Sequence, residues 1–175
     1  VGTASAQSLP VNESFDSPNP ANWDLYGNDN DSGESHVASS GVAVGPNGEP
    51  ALELTQVDGN QAGTAIYTKN VSSTEGITAT FRYYAANGST PGADGISFFL
   101  LDESDISGGF DSSDIGNVGG PLGYGSDSGP GGPITGGFLA VGFDEWGNFD
   151  EPTYSESSGG EQEITIRGST DSPTA

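Results

Sequence analysis

Residues 138–150 read Phe-Leu-Ala-Val-Gly-Phe-Asp-Glu-Trp-Gly-Asn-Phe-Asp. An apolar run from Phe138 to Phe143 predicts a strand. It passes straight into Asp144, Asn148 and Asp150, three hard-oxygen side chains within seven residues, with Trp146 between the first two. A strand end fixes the direction of the backbone, so carboxylate, amide and main-chain carbonyl oxygens of the following loop can share one hard cation. Calcium takes about six to eight oxygens in irregular geometry and suits such a set better than zinc. The same residues also form turns in acidic proteins, and their spacing by itself leaves both readings open. The expectation is a calcium-ordered loop at the edge of a binding site.

Working outward, the chain reads as all-β. Short apolar or alternating runs are bounded throughout by Gly, Pro, Asn and Asp. Predicted strands are Phe15–Asp16, Val42–Val44, Ala51–Thr55, Gly63–Tyr67, Ile77–Tyr84, Gly95–Leu101, Phe138–Phe143 and Glu163–Arg167. The density of Ile96-Ser-Phe-Phe-Leu-Leu and of Phe138–Phe143 predicts central strands buried on both faces. Many short strands between turn signals predict an antiparallel sandwich. Two long loops interrupt them: Asp102 to Pro133, rich in Gly and Asp, and Gly147 to Gln162. Loops of this length are functional or disordered.

The chain has 175 residues, enough for one domain with a core, and we assign 7–175 to a single domain. Residues 1–6, ending in Ala4-Ser5-Ala6, resemble the end of a secretory signal. Together with four Asn-x-Ser sequons, at Asn12, Asn30, Asn70 and Asn87, they point to a secreted or cell-surface protein. Three basic residues face 25 acidic ones, and the formal net charge of −22 excludes nucleic acid and anionic membranes as expected partners. No stretch is long and apolar enough to insert in a membrane. Cysteine is absent, so disulfides and thiol chemistry are excluded.

Three segments, in this order, resemble those of the L-type lectins, the legume-lectin-like domains also found in bacterial surface adhesins. Ala93-Asp-Gly-Ile-Ser-Phe-Phe-Leu100 is similar to the family's Ala-Asp-Gly-Ile/Leu-Ala-Phe-Phe. Gly119-Gly-Pro-Leu-Gly123 is similar to its Gly-Gly-Tyr-Leu-Gly. Val141-Gly-Phe-Asp-Glu-Trp-Gly-Asn148 is similar to its Val-Glu-Phe-Asp-Thr-Phe-x-Asn metal segment. The likeness spans roughly Phe15 to Arg167 and implies a concanavalin A-like jelly-roll β-sandwich.

It further implies a calcium-dependent, non-enzymatic carbohydrate-binding function, with glycans as partners. Asp94 would accept from two sugar hydroxyls; in the family the peptide before that Asp is often cis, which the residues Ala93-Asp94 do not by themselves show. The Gly120 main-chain N–H would donate to the sugar. Asn148 would serve both sugar and metal, and Asp144, Trp146 (through its carbonyl) and Asp150 would complete the calcium ligands. Glu151 or Glu156 are alternatives to Asp150.

Departures from the family are informative. Gly142 stands where legume members carry the Glu of a second, transition-metal site, so no such site is expected. Family domains continue for several strands past the equivalent of Arg167. The expectation is therefore a trimmed sandwich lacking its C-terminal strands, or one completed by a protein neighbour. Aromatic residues that could stack on a sugar are Trp23, Tyr26, Tyr83, Tyr84, Phe110 and Tyr124, with Phe110 and Tyr124 favoured. The acidic run from Asn28 to Glu34 resembles a calcium loop only loosely and its spacing does not match an EF-hand, so a second metal site is not expected there; the sole histidine, His36, is expected to be a structural or surface residue. Two rival readings are a glycoside hydrolase and a structural subunit of a fibre or surface layer. The first needs paired carboxylates across a cleft, which Gly142 does not supply.

Overall fold

The computed structural model describes residues 10–17, 19–29, 43–44, 48–57, 59–85, 88, 90, 92–106, 108–126, 131–150 and 162–171. Among them the chain is all-β and antiparallel. The strands are β1 (Trp23–Asp29), β2 (Ala43–Val44), β3 (Pro50–Ala51), β4 (Gln61–Tyr67), β5 (Gly95–Leu101), β6 (Gly137–Asp144) and β7 (Glu163–Arg167). They pair as β1–β4, β2–β3 and β5–β6–β7. The one helical element among the described residues is the 3₁₀ turn Ser112–Asp114. Asp111 caps it, accepting from the Ser113 N–H at 2.8 Å, while Asp114 accepts from the Asp111 N–H at 2.8 Å.

The β5–β6–β7 sheet carries the core. Along β6, Ala140, Gly142 and Asp144 are buried and alternate with half-buried Leu139, Val141 and Phe143. The sheet therefore has one closed face and one partly open face. The expectation of strands buried on both faces is corrected here: the apolar density of β5 and β6 comes from aromatic cover on the open face, not from burial of both. That cover is the segment predicted as a strand at Ile77–Tyr84. It enters no ladder among the described residues. Phe81 stacks on Phe98 at 5.8 Å between ring centroids and meets Phe143 edge-on at 5.9 Å, and Tyr83 tilts over Phe143 at 5.4 Å. Alternating β-branched and aromatic residues fit a pleated surface; here they lie on one rather than extend it.

On the closed face Tyr124, Ile134, Ala140 and Phe149 form the buried cluster, with Phe99, Leu101, Phe110 and Leu122 packed against it. Phe149 is wholly out of solvent. Its ring occupies the space above Gly142, where a Cβ would come within 2.2 Å of Cδ1. Gly at 142 is thus a packing requirement, and a Glu there has no room. Arg167 lies over the same ring, 5.3 Å from its centroid, and donates from Nη1 to the Phe149 carbonyl at 3.1 Å.

Tyr124 corrects another expectation. Its side chain is 1% exposed and cannot present a ring to a sugar. Burial pushes its hydroxyl up to about 12, and that hydroxyl donates to the Gly168 carbonyl at 2.7 Å. Phe110 is half-buried against Tyr26, whose hydroxyl donates to the Phe110 carbonyl at 2.9 Å.

The long loop after β5 is ordered where described, by bonds from Gly116 N–H to Gly123 O (2.9 Å), Asn117 N–H to Gly125 O (3.0 Å) and Gly123 N–H to Asn117 O (3.0 Å). Phe15 sits at φ 52°, which is not extended backbone, so Phe15–Asp16 is no strand; its ring packs edge-on against Trp23. Of Ala51–Thr55 only Ala51 pairs among the described residues; Ala43 and Val44 pair with Ala51 and Pro50, and Val42 lies outside the described residues. Residues 1–6, Asn30 to His36, Asn87, Glu151 and Glu156 lie outside the described residues.

Truncating a core ring leaves a cavity as well as losing transfer energy. Phe149→Ala is expected to destabilise the fold by about 3–5 kcal/mol in urea unfolding, against a change within about 0.5 kcal/mol for Val57→Ala, since Val57 is 67% exposed.

Candidate functional site: a clamped loop beside Asp94

β6 ends on Asp144, and the chain turns there because Asp144 holds four of the next five residues. Its Oδ1 accepts from the N–H groups of Trp146 (3.0 Å) and Gly147 (2.8 Å), and its Oδ2 from those of Asn148 and Phe149 (2.6 Å each). The residue is 2% exposed. An ionised carboxylate has about four acceptor positions, and all four are occupied by converging main-chain amides, an arrangement that suits a negative charge. Gly147, at φ +83°, supplies the left-handed residue that the tight path requires.

Asp94 lies across the ladder, one residue before β5, and Gly95 pairs with Asp144. The Ala93–Asp94 peptide is cis. The Asp94 carbonyl accepts from the N–H groups of Glu145 (2.7 Å) and Trp146 (3.3 Å), which ties the two loop starts together. Gly95 is obligatory: at φ +149° a Cβ would come within 2.3 Å of the Phe143 carbonyl oxygen. Burial, and then the charge of Asp144, raise the Asp94 carboxyl above the usual aspartate range.

The third wall is the Gly119–Gly123 turn. Leu122 N–H bonds Gly119 O at 2.9 Å, and Ser97 Oγ on β5 donates to Leu122 O at 2.9 Å, fixing the turn to the sheet. A Cβ at Gly119 would stand 3.8 Å from Asp94 Oδ2. At Gly120 it would stand 2.4 Å from Asn148 Oδ1 and 2.6 Å from Nδ2, so the Asn148 carboxamide lies directly against bare main chain.

The structure therefore brings Asp94, Gly120 and Asn148 together. Asn148 is 2% exposed, yet neither Oδ1 nor Nδ2 has a hydrogen-bond partner among the described residues. Orphaned buried amide atoms cost about 1–3 kcal/mol each and are rare in native proteins unless a ligand, ion or water answers them.

The metal residues are less uniformly placed. Asn148 Oδ1 is an unanswered hard oxygen, and among the described residues no hydrogen bond uses the Trp146 carbonyl. Asp150 is exposed, and no described contact joins it to Asn148. Asp144 already spends its oxygens on amides and would have to exchange one for a cation. The donor set, all oxygen, fits calcium in kind. Among the described residues no three His, Cys, Asp or Glu side chains are grouped as a metal centre.

Two participants escaped the sequence reading. Ser97 was read only as strand and Phe149 only as loop; the approach of Phe149 to Gly142 had a faint signal in the missing side chain at 142. No protein-family model matches this chain, and no curated protein matches it.

Asp144→Asn replaces one acceptor oxygen by an amide that faces main-chain N–H donors. The expected cost is about 3 kcal/mol or more in urea unfolding. An unchanged midpoint would show that the four amides do not depend on the carboxylate.

Proposed function

We propose that this chain is a carbohydrate-binding domain of the L-type lectin kind, a jelly-roll sandwich displayed on a secreted or cell-surface protein. The orphaned Asn148 carboxamide, held against Gly120 while the neighbouring Gly119 faces Asp94, carries this reading. A sugar ring offers neighbouring hydroxyls that donate and accept at once. The Asp94 carboxylate accepts from them, Asn148 Nδ2 and the Gly120 N–H donate to them, and Asn148 Oδ1 remains to bind a cation. No single apolar ligand answers all of these groups.

Calcium belongs to this proposal. Asn148 Oδ1, the Trp146 carbonyl, Asp150 and Asp144 would hold it, and it would offset the negative charge that Asp94 and Asp144 concentrate in a chain of net charge −22. Hydrolysis is disfavoured on chemical grounds. A glycosidase carboxylate must be free to protonate a leaving group or attack carbon, whereas Asp144 is held by four amides.

A glycan array read with and without EDTA tests the proposal: calcium-dependent binding to a sugar class supports it, and no binding, or release of reducing ends, contradicts it. Asn148→Ala and Gly120→Ala are expected to abolish binding while the chain stays folded by near-ultraviolet circular dichroism. Retained binding in both would move the site elsewhere.

The pH dependence follows from Asp94. Its folded carboxyl is raised, so it contributes stability that is full below the ordinary value near 3.8 and is lost as pH rises through the folded value. Ligand binding runs the other way, because it uses the ionised form. Affinity is expected to fall on acidification at a pH above the ordinary aspartate range, and Asp94→Asn should remove that step along with most of the affinity.

A further inference from the structure

β7 closes the order β5–β6–β7, and among the described residues no strand pairs with its outer edge. A free edge with apolar side chains is a template for another strand unless it is covered. Ile164 and Ile166, both on β7, are each 70% exposed. By register they continue the face formed by Phe143 and Val141, which stand opposite them on β6.

The strand reads Glu163-Ile-Thr-Ile-Arg167 and is complementary to its own reverse. Placed antiparallel to itself about a two-fold axis at Thr165, it sets Ile164 opposite Ile166 of the second copy, Thr165 opposite Thr165, and Glu163 opposite Arg167. Directly opposed residues share a face, so the isoleucines would meet on one side and the charges on the other. Glu163 Oε1 is enclosed without a hydrogen-bond partner among the described residues, so its carboxylate is short of donors. Arg167 uses Nη1 on the Phe149 carbonyl, and a guanidinium has about five N–H donors in all. The chain has only three basic residues, and one of them stands where this pairing needs it.

We propose that β7 is a self-association edge, joining two copies of this chain into a continuous six-stranded sheet, β5–β6–β7–β7–β6–β5, with an isologous interface. The proposal is independent of the glycan reading. Its occupant is a second copy because in that register the strand supplies its own partners, isoleucine against isoleucine and Glu163 against Arg167. The excess negative charge of each chain opposes association at long range, and salt screens it.

Sedimentation equilibrium of the full chain in about 1 M salt, where the screening length is about 3 Å, is expected to give the mass of two chains. Ile164→Lys, at a position open to solvent, and Glu163→Arg, which removes a half-buried carboxylate whose Oε1 has no hydrogen-bond partner among the described residues, should each weaken association by about tenfold or more with an unchanged thermal midpoint of the monomer. Adding Arg167→Glu to Glu163→Arg restores the opposed charges and should restore the dimer, provided tryptophan fluorescence reports a folded chain. A wild-type chain that stays monomeric at high concentration overturns the proposal and leaves the edge to a strand of a different protein. A dimer that survives either single substitution also overturns it, by placing the interface on another surface.

Discussion

The Asp144 carboxylate is the hinge of this structure. Its four main-chain amides stop β6, fold the chain back, and set the positions of Trp146, Asn148 and Phe149 in one stroke. From there one branch leads into the core, where Phe149 fills the space over Gly142 and receives Arg167. The other leads to the candidate site, where Asn148 lies against Gly120, next to the Gly119 that faces Asp94. The same interaction therefore couples stability to site geometry: the group that holds the loop also stands beside Asp94, whose carboxyl is raised by burial and then by that neighbouring charge.

That arrangement revises the role first expected of a cation. The acidic loop suggested a metal as the element that orders it. The amides show that the protein orders the loop with its own charge, through charge-assisted hydrogen bonds that are stronger than neutral ones. In the proposed function calcium has the narrower part of answering Asn148 Oδ1 and neutralising a crowded acidic corner. Pre-organisation by the fold and occupation by an ion become separable, since a loop already held by amides loses little entropy when a ligand arrives.

Much of the sheet was legible in sequence because burial and period coincide there. β5 and β7 run over the residues expected, and β6 extends one residue further at each end. β1 was missed because only Trp23 and Leu25 of Trp-Asp-Leu-Tyr-Gly-Asn-Asp carry an apolar alternation, and its second half is turn-like in composition. The strand expected at Ile77–Tyr84 failed for the converse reason: its pattern reports contact with a pleated surface, which packing on Phe98 and Phe143 satisfies without a ladder. In the site, the motif order foretold that Asp94, Gly120 and Asn148 would meet. It could not foretell where the Asp144 oxygens point, because a carboxylate read as a metal ligand and one read as an amide acceptor occupy the same position in the sequence. Nor could it foretell that Tyr124 would be consumed by the core.

Amide hydrogen exchange followed residue by residue in the metal-free protein at neutral pH tests the carboxylate clamp most directly. Trp146, Gly147, Asn148 and Phe149 belong to a loop, yet each N–H is bonded to Asp144, so the four are expected to exchange together and slowly, at rates set by unfolding of the β5–β6–β7 sheet. Exchange at the rate of unstructured peptide, with protection appearing only when calcium is added, would contradict the account and return the ordering of this loop to the metal.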